Sequence, residues 1–294
     1  MRPMPRIAVN TGIEIEYDTF GDPTHPPLLL VMGFTAQMTL WDERFCQQLA
    51  DGGRFVIRFD NRDCGLSSKL DGVEVDMAAL MAAAFSGAPV GDVPYTLSHM
   101  ADDAFGLLTA MGIEKAHIMG ASMGGMIVQT MAIEHPERVL SMTSVMSTTG
   151  EMEYGQADPE VLGVLIAPPP ADRQEFIDAA PRYRVFASKK YYDEAEAKTR
   201  AARDYDRSYY PEGASRQMAA IAASGSRADG LRALDVPTLV IHGRDDTLIA
   251  PSGGLRTAEL VPGSVLLFLS DMGHDMPQQL WPVMVSAILT HTAR

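Results

Sequence analysis

Five residues, Gly120-Ala121-Ser122-Met123-Gly124, constrain the fold of this chain more than any other feature. They join a short apolar run, His117-Ile118-Met119, to an apolar stretch of helical length, Met123 to Glu134, so the chain passes from strand to helix through a turn with serine at its apex. Such a turn strains its serine, and a bulky side chain two residues away on either side would clash. Glycine at 120 and 124 removes both clashes. The serine oxygen is thereby presented above a sheet, at a helix N-terminus whose positive dipole end faces it.

The alternation of strand and helix extends to both sides of this turn. Ile13 to Tyr17 reads Ile-Glu-Ile-Glu-Tyr, the period-2 pattern of a strand with one wet face, and suits an edge hairpin. Leu28 to Met32 is a continuous apolar run of strand length, the form of a central strand buried on both faces, and Phe55-Val56-Ile57-Arg58-Phe59 reads as another buried strand. Between them, Leu40, Trp41, Phe45 and Leu49 have helical spacing up to the stop at Asp51-Gly52-Gly53. Leu97 to Met111 predicts a helix with Ser98 as N-cap and Gly112 at its close. Lys115 to Met119 and Val139 to Val145 predict strands on either side of the Met123–Glu134 helix. Short apolar strands separated by helices pair in parallel through right-handed crossovers, so helices are expected on both faces of the sheet.

From Gly150 to Gly230 the pattern changes. Pro168-Pro169-Pro170, several tyrosines (Tyr183, Tyr191, Tyr192, Tyr205, Tyr209 and Tyr210 among them) and charged helical stretches replace the buried strands. Alternation resumes with Val236 to Ile241, continues through Leu255 to Leu260 and Val265 to Leu269, and ends in a helix near Gln278 to Thr290. The expected organisation is an α/β core over residues 1–149 and 231–294, with residues 150–230 inserted as a helical cap.

Charge and cysteine content narrow the function classes. A formal charge of −14 argues against a nucleic-acid partner, which needs a clustered excess of Lys and Arg, and favours neutral or cationic small molecules. Cys46 and Cys64 form neither a disulfide framework nor a zinc motif. The start, Met1-Arg2-Pro3-Met4-Pro5-Arg6, lacks the apolar segment of a secretion signal, and no apolar run reaches membrane-spanning length. These features predict a cytoplasmic protein without a membrane partner. They leave its oligomeric state open.

A serine of ordinary acidity is a poor nucleophile, so a base must take its proton and an acid must fix the tautomer of that base. The backbone N–H of Met123, at the helix N-terminus, is a natural oxyanion donor. Of seven histidines, His274 stands in a loop after the last apolar strand and before the final helix. His117 lies within a strand and reads as structural, and His25, His99, His135 and His291 occupy turn, cap or terminal positions. His242 reads as a support for its own loop. Two aspartates, Asp245 and Asp246, compete for the acid in the loop after Val236 to Ile241.

The ordered set Met32-Gly33-Phe34, Gly120-Ala121-Ser122-Met123-Gly124, Gly243 to Pro251 and Gly273-His274 resembles the α/β-hydrolase superfamily over nearly the whole chain. That resemblance implies the order serine, acid, histidine, and so His274 as the base. Its spacing, glycine then two residues then the acid with an apolar-plus-proline segment beyond, selects Asp246. It also implies the backbone N–H of Phe34 as a second oxyanion donor. Asp60-Asn61-Arg62-Asp63-Cys64-Gly65-Leu66-Ser67 resembles a turn that many capped members carry as D-x-R-G-x-G-x-S, with Asp63 where glycine is common. Met32 stands where many relatives have histidine, which affects how the oxyanion loop is braced.

Phe20-Gly21-Asp22-Pro23, Leu28 to Gly33, Leu49 to Gly53 and Arg62-Asp63 are further similar to the aclacinomycin methylesterase group. This implies hydrolysis of a small-molecule carboxylic ester, including methyl esters of bulky or aromatic acids, through an acyl-enzyme that needs no cofactor or metal. Rival readings keep the same residues for C–C bond hydrolysis or a cofactor-free haloperoxidase or perhydrolase reaction, or retain the fold as a ligand receptor. An aspartyl-nucleophile mechanism is disfavoured by serine at the elbow. The tyrosines of the insertion have two readings, stacking on a flat substrate or packing within the cap.

Overall fold

The computed structural model describes residues 4–86, 90–165 and 167–293, so Met1, Arg2 and Pro3 of the amino-terminal stretch lie outside the described residues. Eight strands form one sheet: β1 (Arg6–Ala8), β2 (Glu14–Phe20), β3 (Pro27–Val31), β4 (Phe55–Phe59), β5 (Ala116–Ala121), β6 (Val139–Val145), β7 (Thr238–Gly243) and β8 (Val265–Leu269). Their spatial order is β1-β2-β4-β3-β5-β6-β7-β8. The first two pairings are antiparallel and the rest parallel. This is an α/β-hydrolase fold. The strand read from Ile13 to Tyr17 is β2, which makes a hairpin with β1 and bonds β4 on its other side.

The helices are α1 (Glu43–Asp51), α2 (Met77–Ser86), α3 (Leu97–Ala110), α4 (Met123–Glu134), α5 (Pro159–Leu165), α6 (Arg173–Ala179), α7 (Glu194–Arg207), α8 (Gly213–Ser224), α9 (Ala228–Arg232), α10 (Ser252–Leu260) and α11 (Trp281–His291). Successive residues of β3 explain why its run is uninterrupted. Leu29 and Val31 enter the core shared with α3 and α4, whereas Leu28 and Leu30 enter the opposite core with α1 and α11. A strand covered on both faces has no wet side on which a polar residue could sit.

Two helix starts differ from the sequence expectation. The helix expected from Leu40 begins at Glu43, because Asp42 caps it by accepting from the Arg44 N–H at 2.8 Å, and Met38–Leu40 forms a separate 3-10 turn. The N-cap of α3 is Thr96, not Ser98, whose hydroxyl instead donates to Glu134 Oε1 at 2.6 Å across to α4. Helix α2 and the three-residue β1 were not anticipated.

Between β6 and β7 the described residues contain helices and turns but no strand. Two buried ion pairs fasten this segment to the turn after β4. Arg207 on α7 bonds Asp60 at 2.7 Å. Arg216 on α8 bonds both oxygens of Asp63, at 2.8 and 2.9 Å, and Asp63 also accepts from Tyr95 Oη and the Leu70 N–H, each at 2.8 Å. Asp63 has φ 61, the left-handed conformation that explains why related turns favour glycine there.

Magnitudes decide what glycine would do at this position. Relief of the left-handed backbone is worth about 1–2 kcal/mol, whereas removing one partner of a buried pair costs about 3–5 kcal/mol because the other charge is stranded. Asp63→Gly is therefore expected to destabilise the protein by about 1–4 kcal/mol in denaturant unfolding. Increased stability would mean that backbone strain outweighs the ion pair.

Candidate active site

All the chemistry-bearing positions lie just beyond the carboxyl ends of parallel strands, where loops of an α/β sheet converge. Ser122 follows β5, Gly33 and Phe34 follow β3, Asp246 follows β7 and His274 follows β8. The serine stands at φ 58 and ψ −121 as the N-cap of α4, and its own N–H donates to Val145 O at 2.9 Å. The elbow closes only with glycine. A Cβ on Gly120 would come within 2.0 Å of Gly124 O, and one on Gly124 within 2.1 Å of Val31 O.

His274 Nε2 lies 2.9 Å from Ser122 Oγ, and His274 Nδ1 lies 2.7 Å from Asp246 Oδ2. Asp246 is 3% exposed, and its Oδ1 accepts the N–H groups of Leu248 at 3.0 Å and Ile249 at 2.9 Å. Acceptor-only surroundings at Oδ2 favour the tautomer with the proton on Nδ1, which leaves Nε2 to accept from the serine. Burial pushes the Asp246 carboxyl up, but the charge and hydrogen bond of His274, with His242 close by, outweigh it and hold the group below its ordinary value.

Of the competing aspartates, Asp246 is the one that reaches His274. Asp245 is half-buried beside Arg244, 3.8 Å away, and its backbone N–H ties the loop to Met272 O at 3.0 Å. His242 is fully buried, with Nε2 2.9 Å from Ile249 O and 3.4 Å from Asp246 Oδ2. One ring proton serves one partner well, and the shorter contact identifies Ile249 O. His117 is buried against Ser141 Oγ at 2.8 Å, and burial pushes its pKa down to about 4.

The loop after β3 abuts the serine. A Cβ on Gly33 would lie 3.0 Å from Ser122 Cβ and 3.5 Å from its Oγ, so Gly33 gives the backbone of this loop its close approach to the nucleophile. Met123 is the first residue of α4, directly after the serine.

Sequence reasoning missed the residues that hold these loops from outside. The His274 N–H donates to Phe186 O at 2.6 Å. Ser188 N–H donates to Asp275 Oδ1 at 2.9 Å, and Ser188 Oγ donates to Asp271 O at 2.8 Å. Thr247 Oγ1, next to Asp246, donates to Val185 O at 2.9 Å. Among the tyrosines, the Tyr205 and Tyr209 rings stack with centroids 4.6 Å apart and both meet Phe176. Tyr210 Oη bonds Asp71 and Arg216. Those three tyrosines are engaged by packing and hydrogen bonds within or beside the insertion.

Known proteins share this architecture. A family model described as alpha/beta hydrolase fold matches residues 26–277. Rhodomycin D methylesterase DnrP of Streptomyces peucetius is 26% identical over 319 aligned residues, covering 98% of this chain and 97% of that protein. The 2-hydroxymuconate semialdehyde hydrolase of Pseudomonas putida is 28% identical over 189 residues, covering 62% of this chain and 64% of its own. Among solved structures, 2-hydroxy-6-oxo-6-phenylhexa-2,4-dienoate hydrolase from Rhodococcus sp. strain RHA1 superposes with a TM-score of 0.76 at 19% identity over 99% of both chains, a likeness of fold. No helix among the described residues is long and apolar enough to cross a membrane.

Proposed function

Because this chain belongs to the alpha/beta hydrolase fold family, we propose that it hydrolyses small-molecule carboxylic esters through an acyl-enzyme on Ser122. The observation that carries the proposal is the unbroken relay from Ser122 Oγ to His274 Nε2 and from His274 Nδ1 to Asp246. Ser122 Oγ attacks the ester carbon while His274 takes its proton, and the resulting oxyanion is held by the N–H groups of Phe34 and Met123. The C–O bond to the alcohol then breaks, and His274 returns the proton to the departing oxygen. Water repeats the sequence on the acyl-enzyme and releases the acid. Asp246 stays ionised and orients the ring throughout.

In this reading residues 1–149 and 231–294 form the catalytic core, and residues 150–230 form a cap that selects the acyl group. Similarity to a methylesterase along nearly the full length of both chains favours ester substrates, methyl esters of bulky acids among them. The semialdehyde hydrolase, similar over a shorter stretch, supports C–C bond hydrolysis with the same residues as the second reading.

The two readings separate on substrate. Wild-type protein is assayed with p-nitrophenyl acetate, butyrate and octanoate, with the methyl ester of a polycyclic aromatic acid, and with a vinylogous 1,5-diketone. Ester turnover at kcat/KM above about 10⁴ M⁻¹s⁻¹, the lower end for enzymes on good substrates, with slower diketone cleavage is the expected result. Diketone cleavage without ester turnover would replace the ester reading with the C–C one.

A further inference from the structure

Helix α8 of the insertion reaches the loop that carries the proposed oxyanion donor Phe34. Its Gln217 is fully buried, and the two ends of the amide are both used. Oε1 accepts the Thr35 N–H at 2.8 Å, and Nε2 donates to Arg62 O at 3.0 Å. Thr35 has φ 55, a conformation that β-branched residues avoid, so the turn after Phe34 does not hold itself by local preference. The turn is closed by its own Ala36 N–H to Gly33 O bond at 3.3 Å, and Thr35 Oγ1 donates to Phe34 O at 2.8 Å, but its strained residue needs further bracing from its neighbours.

Three side chains from outside the loop supply that bracing. Asn61 Nδ2 donates to Met32 O at 2.8 Å on one side of Gly33-Phe34, and Cys64 Sγ lies 3.3 Å from Thr35 O on the other. Both come from the turn after β4. Gln217 is the brace that comes from the insertion, 182 residues along the chain from Thr35. Its helix is seated firmly at this spot. Arg216 donates to both oxygens of Asp63, and a Cβ on Gly213 would come within 2.1 Å of Asp63 O, so α8 lies directly on the same turn.

We propose that Gln217 is a positioning residue for the oxyanion hole. By fixing the peptide that follows Phe34, it orients the Phe34 N–H, and it makes correct seating of α8 a condition for stabilising the transition state. The proposal rests on the serine-hydrolase reading above. A donor that matters mainly when negative charge develops affects kcat more than KM.

The test compares Gln217→Leu, which removes both polar contacts, with Gln217→Glu, which keeps an oxygen for the Thr35 N–H. Full protein is assayed on p-nitrophenyl butyrate for kcat and KM, and on a trifluoromethyl ketone whose hemiketal oxyanion reads the hole directly. Complete loss of an oxyanion donor costs about 10²–10³ in kcat, so misplacement by Gln217→Leu is expected to cost about 10–100-fold. KM should stay within about threefold, and ketone affinity should fall by the same factor as kcat. Gln217→Glu should retain kcat within about fivefold of wild type, the rescue that a structural role would not require. Unchanged kcat and ketone affinity in folded Gln217→Leu overturns the proposal.

If Gln217→Leu does not fold, Gln217→Met and Gln217→Glu carry the same comparison. Equal kcat and ketone affinity in these two variants would likewise overturn it. Failure of the underlying reading is distinguishable, because Ser122→Ala would then keep wild-type activity. A dead Ser122→Ala protein beside a fully active Gln217→Leu protein removes this inference alone.

Discussion

Ser122→Ala is expected to lower kcat for ester hydrolysis by about four to six orders of magnitude, the scale on which removal of a triad nucleophile acts. Nothing else at the site can take over the attack. Cys64, a thiol in the adjoining turn, is buried, and burial raises its pKa well above the ordinary thiol value, so it supplies no thiolate. The residual rate comes from whatever orientation and oxyanion stabilisation remain. Alanine tolerates φ 58 no worse than serine, so the fold should survive with a melting temperature within a few degrees of wild type. Circular dichroism and kcat measured on the same preparation check both halves. A kcat within tenfold of wild type would remove Ser122 from the mechanism.

The second large effect is expected from Asp246→Asn, with a loss of about 10⁴ in kcat. The structure dictates which way the new amide must face. Asp246 Oδ1 accepts two backbone N–H groups, from Leu248 and Ile249, so the amide oxygen has to occupy that place and the NH₂ group must face His274 Nδ1. A donor there forces the ring proton onto Nε2, where it can no longer accept from Ser122. The protein should stay folded and KM should change little.

The pH dependence of this residue has a definite sign. The folded-state pKa of Asp246 is depressed below its ordinary 3.8, so its contribution to stability is present above that value and is lost as pH falls through the folded pKa. Any decline of wild-type kcat/KM above about pH 4 then reports proton uptake elsewhere, because Asp246 is still ionised there. The decline in unfolding free energy attributable to Asp246 should begin at about pH 5, where the unfolded carboxyl starts to bind protons, and continue down to the folded-state pKa. Stability profiles of wild type and Asp246→Asn, compared from pH 6 down to pH 3, check it.

Much of this architecture can be read along the chain because each feature is signalled locally. Residues of β3 are apolar on consecutive positions because two cores claim alternate side chains, β4 and β5 are largely so apart from Arg58 and His117, and that leaves runs visible without knowledge of either partner. Ser122 is marked by glycines whose removal would drive side chains into backbone 2.0–2.1 Å away, and His274 by its place between the last strand and last helix. Asp245 and Asp246 were separable only through a resemblance, because adjacent aspartates in one loop differ in direction and direction comes from the folded turn.

What escaped the sequence is of another kind. Phe186 bonds His274 through its carbonyl, which every residue type carries, and Ser188 donates its N–H to Asp275 and its hydroxyl to Asp271 across more than eighty residues. Gln217 leaves no signal in an ordinary polar helix. The Ser98 cap failed for a competing reason, since Thr96 is an equally good cap two residues earlier and Ser98 has Glu134 to bond.

The stitching of the insertion has a consequence for protein engineering. Segment 185–188 bonds the histidine and acid loops, and α8 bonds the loop after β3, so the stretch between β6 and β7 is tied to three of the loops around Ser122. A chimera that grafts a relative's insertion between β6 and β7 would inherit a foreign clasp on each loop. Recombination that respects this chain must carry Thr35, Arg62, Asp63, Asp271 and Asp275 with the graft, as one hereditary unit dispersed along the sequence.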